Sequence, residues 1–208
     1  MGLQGDAVRW GRRLPIHDRG AVRGLFPIAQ TASAGHVVFI LGLRRGNDVL
    51  KILLAIDGSE HSRAAVDATA QQHYPAGSEV RVISVVEPPF MPDSFAGGGG
   101  DAGLYIQIED TGRELARAAV DKAAATLRTD EGSRHLKVTT DVLSGSPKRV
   151  ILDDAEAFGA NWIVVGSHGL GTIERFLLGS VSQAVALHAR CSVAIVRRPP
   201  TTAKDSLP

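Results

Sequence analysis

Gly166-Ser167-His168-Gly169 is followed, after nine residues, by Gly179-Ser180. Glycine removes the Cβ where main chain must come close to an anion, and it tolerates positive φ. Consecutive main-chain N–H groups form an anion-binding nest. A helix opening at Gly179-Ser180 would add unpaired donors and the positive end of its dipole. Ser180 and Ser182 can supply hydroxyl donors, and Val181 lies between them on the same turn. Upstream, Asp57 closes an apolar run. Its carboxylate can accept from a ribose or adenine group, or help hold a metal beside phosphates. The chemistry of this set is the binding of a phosphorylated ligand. Each member also has a plainer role: Asp57 supporting the next turn, the glycines making tight turns, Ser180 capping a helix. For His168 the backbone N–H, rather than the ring, is the expected contact. Arg175 is the nearest loop cation and is expected to be a solvated charge.

Other phosphate and catalytic chemistries are excluded by spacing. No Gly-x4-Gly-Lys-Ser/Thr loop occurs, and no Gly-x-Gly-x-x-Gly follows the first apolar run. Ser167 lacks the Gly-x-Ser-x-Gly context of a hydrolase elbow. His188 and Cys191 have no second ligand pair nearby, so they are expected to be a helix-end histidine and a buried thiol. With Cys191 the single cysteine, there is no disulfide framework.

The elements that must position these residues are legible from Val49 on. Val49 to Ile56 (VLKILLAI) is an almost unbroken apolar run, as in a strand buried on both faces. Ser59 is placed to cap a helix over residues 60–73. Val80 to Val86 is a β-branched second strand. Three prolines and the run Gly97 to Gly100 mark residues 87–103 as a long mobile loop. A helix from Tyr105 is expected to face inward along Tyr105, Ile108, Gly112, Leu115, Ala119, Ala123 and Leu127. Leu136 to Leu143 is a third strand. Ser146-Pro147 opens a helix that Gly159 ends. Trp162 to Val165, a helix over Ser180 to Ala189, and a fifth strand over Ser192 to Val196 complete the pattern. Alternating strands and helices predict an α/β sandwich with a mainly parallel sheet. In such sheets ligands lie beyond the carboxyl ends of the strands.

Residues 49–198 as a whole resemble the universal stress protein family, in its nucleotide-binding branch. KILLAIDGSEHS, SGSPKRVI and VVGSHG carry the resemblance, and Gly166, Gly169, Gly179 and Ser180 match the branch pattern Gly-x2-Gly-x9-Gly-Ser/Thr. The resemblance implies a five-stranded parallel sheet, order 3-2-1-4-5, with helices on both faces, in the adenine-nucleotide α-hydrolase-like fold. It implies ATP as the ligand, and Asp57 is the one candidate for an accompanying Mg²⁺. Adenine would lie near Ile56, Asp57 and Val85, with Ser59 close by, and ribose near Asp57 and Gly145. The phosphates would lie over Gly166, Ser167, His168 and Gly169 and over Gly179 to Ser182. It further implies a homodimer through the last strand, Val193 to Val196. Leu170-Gly171 departs from the polar or basic residue common in the family, and Ser192 stands where proline is common. The expected function is an ATP-binding regulatory dimer in a stress response. A slow ATPase or phosphoryl-transfer enzyme, and a dimer module without nucleotide, are the alternatives.

The chain of 208 residues carries a net charge of +1. Residues 1–48 hold seven Arg against three Asp, a local +4, which leaves the remainder at −3. A mildly acidic domain offers no footprint for a nucleic-acid backbone. Residues 1–48 lack a sustained helical or strand period and are expected to be a largely disordered extension. Their one apolar block, Val37 to Leu43, is far short of the ~20 residues a spanning helix needs. An organelle leader is disfavoured by scarce Ser and the lack of an amphipathic face. Residues 199–208 read as a polar tail. A cytoplasmic location, with no membrane or nucleic-acid partner, is expected.

Overall fold

The computed structural model describes residues 49–89, 102–169 and 178–197, and the backbone of residues 28–31 and 37–41. The expected loop over 87–103 lies mostly outside these residues, as do Arg175, Leu170-Gly171 and the tail.

In chain order the elements are β1 (Ile28–Thr31), β2 (Val37–Leu41), β3 (Lys51–Ile56), α1 (Glu60–Ala70), β4 (Glu79–Val86) and α2 (Ala102–Thr129). They continue with β5 (Lys137–Ser144), α3 (Pro147–Phe158), β6 (Trp162–Gly166), α4 (Ser180–His188) and β7 (Ser192–Arg197). The sheet order is β1-β2-β7-β6-β3-β4-β5. Strands β3 to β7 are parallel throughout. Read from β5 to β7, they reproduce the expected order 3-2-1-4-5.

Alternation along β3 divides the core. Ile52, Leu54 and Ile56 point to one face and pack with α1 and α2 through Ala65, Val66, Val120 and Leu127. Leu53 and Ala55 point to the other face and pack with α3 and α4 through Ile151, Ala155 and Val185. Arg81 on β4 fixes α3 to this second face. It donates to Asp154 of α3 at 2.8 and 3.0 Å and to Asp141 of β5 at 3.0 Å. These bonds, that to Asp154 first, raise the Arg81 pKa further above its ordinary value.

Local signals behave as expected at several ends. Ser59 Oγ accepts from the Ser62 N–H at 3.1 Å, capping α1. Pro147 stands at the first turn of α3. Gly159 ends α3 in the left-handed region (φ 69°), which glycine adopts without a Cβ penalty. The expected inward stripe of α2 fails at Ile108 and Leu115, which are 50% and 68% exposed. The buried face runs instead through Ala116, Val120, Ala123, Ala124 and Leu127.

Within the extension, residues 28–31 and 37–41 form two strands. β1 pairs antiparallel with β2, and β2 pairs antiparallel with β7 from Val37↔Arg197 to Leu41↔Val193. The expected dimer edge, Val193 to Val196, therefore has β6 on one side and β2 of the same chain on the other. A strand carries two ladders, so no edge of β7 is open while β2 is in place.

Candidate functional site

A cleft of about 390 Å³ opens beyond the carboxyl ends of β3, β4 and β6. It gathers Ile56, Asp57, Val85, Gly166, His168, Gly169, Gly179, Ser180, Val181 and Ser182, all expected from the sequence. It also takes Ala55, Ser62, Pro147, Ile151 and Val165, which the sequence analysis did not select. Pro147 and Ile151 arrive because the first turn of α3 follows β5 and leans over the same strand ends. Their signal was present: Ser146-Pro147 marks a helix start at a strand end.

Three expected residues are not among the cleft lining. Ser59 is buried and spends its hydroxyl on capping α1. Ser167 is buried, with Oγ 3.1 Å from His168 Nδ1, its N–H on Val196 O and its carbonyl accepting from Gly179 N–H at 2.8 Å. Gly145 has φ 134° and donates its N–H to Val86 O at 3.0 Å, and a Cβ there would come within 2.9 Å of Val150 Cγ2.

Gly166 and Gly179 of the motif face main-chain atoms, and Gly169 faces a carboxylate. An ideal Cβ on Gly166 would stand 2.7 Å from His61 C and 2.9 Å from Ser62 N, in the first turn of α1. On Gly169 it would meet Asp57 Oδ2 at 2.7 Å. On Gly179 it would meet His168 Cα at 3.3 Å and Ser167 O at 3.4 Å. None of the three has positive φ; that conformation falls at Gly58, Gly77, Gly145 and Gly159 among the described residues. Close packing against main chain therefore requires glycine at Gly166, and the same approach brings Asp57, the loop 166–169 and α4 to one place.

The start of α4 differs from that of α1. Its N-cap is Gly179, in extended conformation, with no side chain capping the turn. The expected cap at Ser180 is thus shifted by one residue, and Ser180 is the exposed first helical residue. The first N–H groups of a helix have no intrahelical acceptor, and glycine provides none. Ser182, expected as a hydroxyl donor to the ligand, instead donates to Gly166 O at 2.6 Å. That bond, with Gly179 N–H to Ser167 O, ties the start of α4 to the end of β6.

Asp57 Oδ1 accepts from Ser59 N–H at 3.0 Å, so the carboxylate supports the turn as well as facing Gly169. Among the described residues no three His, Cys, Asp or Glu side chains group to hold a metal. A cation at Asp57 would need ligand oxygens to complete its shell. His188 is exposed, and Cys191 is half-buried, with burial pushing its thiol pKa up.

The ring of His61 lies 5.0 Å from that of His168, a cleft residue, at 47°. Burial, then the neighbouring His168, lowers the His61 pKa below its ordinary 6.5. The unfolded chain then binds more protons than the folded one as pH falls through that value. Stability is expected to decline as the medium is acidified, until folded His61 itself is protonated. Urea midpoints from roughly pH 8 to pH 5.5 measure this, and His61→Asn should flatten the decline. An equal slope in the variant would assign the decline to other groups.

The comparisons with known proteins bear on the whole domain. Residues 49–197 match the model of the universal stress protein family. The chain belongs to this family. A universal stress protein of Thermus aquaticus, encoded in the 3′ region of a QAH/OAS sulfhydrylase gene, is 35% identical over 149 residues, covering 70% of this chain and 97% of the relative. Universal stress protein YxiE of Bacillus subtilis is 29% identical over 157 residues, covering 71% and 98%. The solved structure of universal stress protein UspA from Lactobacillus plantarum superposes with a TM-score of 0.58 at 21% identity, covering 71% of this chain and 97% of that one. It shares the fold. The family domain thus accounts for β3 to β7 and α1 to α4, whereas β1 and β2 precede the matched residues. No helix among the described residues is long and apolar enough to cross a membrane.

Proposed function

We propose that this universal stress protein binds ATP, with Asp57 as the residue that would hold an accompanying Mg²⁺, and acts as a regulator rather than as a dedicated enzyme. The observation that carries the reading is the start of α4. Its main-chain donors have no side-chain cap, and they share one cleft with Gly166, His168, Gly169 and Asp57. A phosphate there would satisfy orphan donors and sit on the positive end of the helix dipole. Ile56 and Val85 offer an apolar wall for a base, and Asp57 an acceptor for ribose or adenine. Nucleotide would influence the protein only through different affinities for two of its states. Hydrolysis needs a group that orients water and charge stabilisation at the terminal phosphate. Among the described residues no lysine lines the cleft, so turnover ranks second. The proposed setting is the cytoplasm, with no nucleic-acid partner.

The test is direct. Purified protein is denatured and the supernatant assayed for adenine nucleotide. The native protein is then titrated with ATP, ADP and AMP, with and without Mg²⁺, and ADP formation is followed. ATP at about a hundredfold over its Kd should add about 2.7 kcal/mol of stability, a rise of roughly 5–10 °C in Tm. Binding without ADP formation supports the proposal. Steady ADP production lost in Asp57→Ala would make the protein an ATPase. An unchanged Tm at saturating ATP, with no nucleotide released, would refute nucleotide binding.

A further inference from the structure

β7 is an apolar strand at the place where the family domain ends. Val193, Ala194, Ile195 and Val196 are each no more than 3% exposed. The match to the family spans residues 49–197, so residues 1–48 lie outside it. In a domain of that extent the sheet stops at β7, whose outer N–H and C=O groups form an open ladder. Such a ladder is a template for another strand. Here β2 fills it, antiparallel, over the five pairs from Val37↔Arg197 to Leu41↔Val193.

The same ladder suits β7 of a second copy. An antiparallel pairing of two identical strands about a two-fold axis is self-complementary, as an isologous dimer requires. The two occupants compete for the same main-chain groups. The resident strand has the advantage of its tether, since the chain between Leu41 and Lys51 is short. A short tether gives an effective concentration on the order of millimolar, above that of a second copy at ordinary protein concentrations. With the N-terminal pair in place, the sheet ends on β1, a strand of only four residues. Short edge strands are poor templates.

We propose that β1 and β2 are an intramolecular stand-in for the β7 strand of a second copy. They keep the chain monomeric, and their release creates a dimer through β7. The inference is independent of the nucleotide reading.

The experiment measures molar mass by light scattering across a concentration series. The full chain should run as a monomer. Val38→Pro with Phe39→Pro removes one ladder N–H toward each neighbour of β2, because adjacent residues of a central strand bond to opposite sides. That variant should double in mass, and so should the chain from Val49 onward, where the family match begins. In a third variant Val37→Cys and Arg197→Cys occupy paired positions at the strand ends, with Cys191→Ser removing the native thiol. On oxidation it should form a disulfide within one chain and stay monomeric. A full chain that is already dimeric, an interchain disulfide in the third variant, or a chain from Val49 that stays monomeric would each overturn the proposal.

Discussion

Gly166→Ala is expected to cost about 3 kcal/mol of stability, read as a fall in the urea midpoint at unchanged slope. The added Cβ would lie 2.7 Å from His61 C, 2.8 Å from His61 O and 2.9 Å from Ser62 N. These are main-chain atoms, so no rotamer change relieves the contact. The first turn of α1 cannot retreat easily. Ser59 Oγ holds the Ser62 N–H, and Ser62 Oγ donates back to Ser59 O at 3.0 Å. β6 cannot retreat either, since it pairs with β3 on one side and β7 on the other. Relief therefore comes from separating the helix from the sheet, and Ala64 and Ala65 of that helix lie in the core. A loss below about 1 kcal/mol would mean that the contact relaxes cheaply and that packing does not require glycine here.

Gly179→Val is expected to weaken ATP binding about thirtyfold, close to 2 kcal/mol, while costing the free protein much less. A single Cβ at this position finds His168 Cα at 3.3 Å, Ser167 O at 3.4 Å and Gly169 N at 3.7 Å. Alanine needs a shift of a few tenths of an ångström. Valine adds two methyl groups, and β-branching restricts their χ1. The loop 167–169 must move away from α4, and the donors that converge on the cleft then diverge. Calorimetric titration with ATP, beside a thermal melt of the unliganded variant, separates the two effects. Equal affinity in variant and parent would remove the main-chain cradle as the phosphate site.

The five parallel strands and four helices were legible because each carries its own local signal. KILLAI is apolar on both faces, Ser59 and Pro147 mark helix starts, and Gly159 marks a helix end. The phase of α2 was not. With 28 residues it is about 42 Å long, whereas its eight-residue partners β4 and β5 span about 26 Å. Its early turns extend past the strands, which leaves Leu104, Ile106 and Ile108 each at least half exposed. Where it does meet the sheet it uses small residues such as Ala116 and Ala124, which allow close approach but stand out little in a hydrophobic pattern.

The site was legible in membership more than in cause. Gly166, Gly169 and Gly179 were identified by spacing, yet the atoms that press on them belong largely to His61, Asp57 and His168. Proximity of that kind follows from the order of strands and leaves no mark in the local sequence. Ser182 illustrates the same limit, since its acceptor is Gly166 O, sixteen residues away. The apolar block containing Val37 to Leu41 was visible too. Its meaning depends on β7, more than 150 residues later, and a lone apolar run does not name its partner.

The two bonds from Ser182 Oγ and Gly179 N–H into the end of β6 have a kinetic corollary. They seat the mouth of α4 without help from any guest. An incoming anion would meet a surface already shaped for it, and little of its binding energy would be diverted to ordering this wall. Capture should accordingly be quick and leave the backbone of this region nearly unmoved.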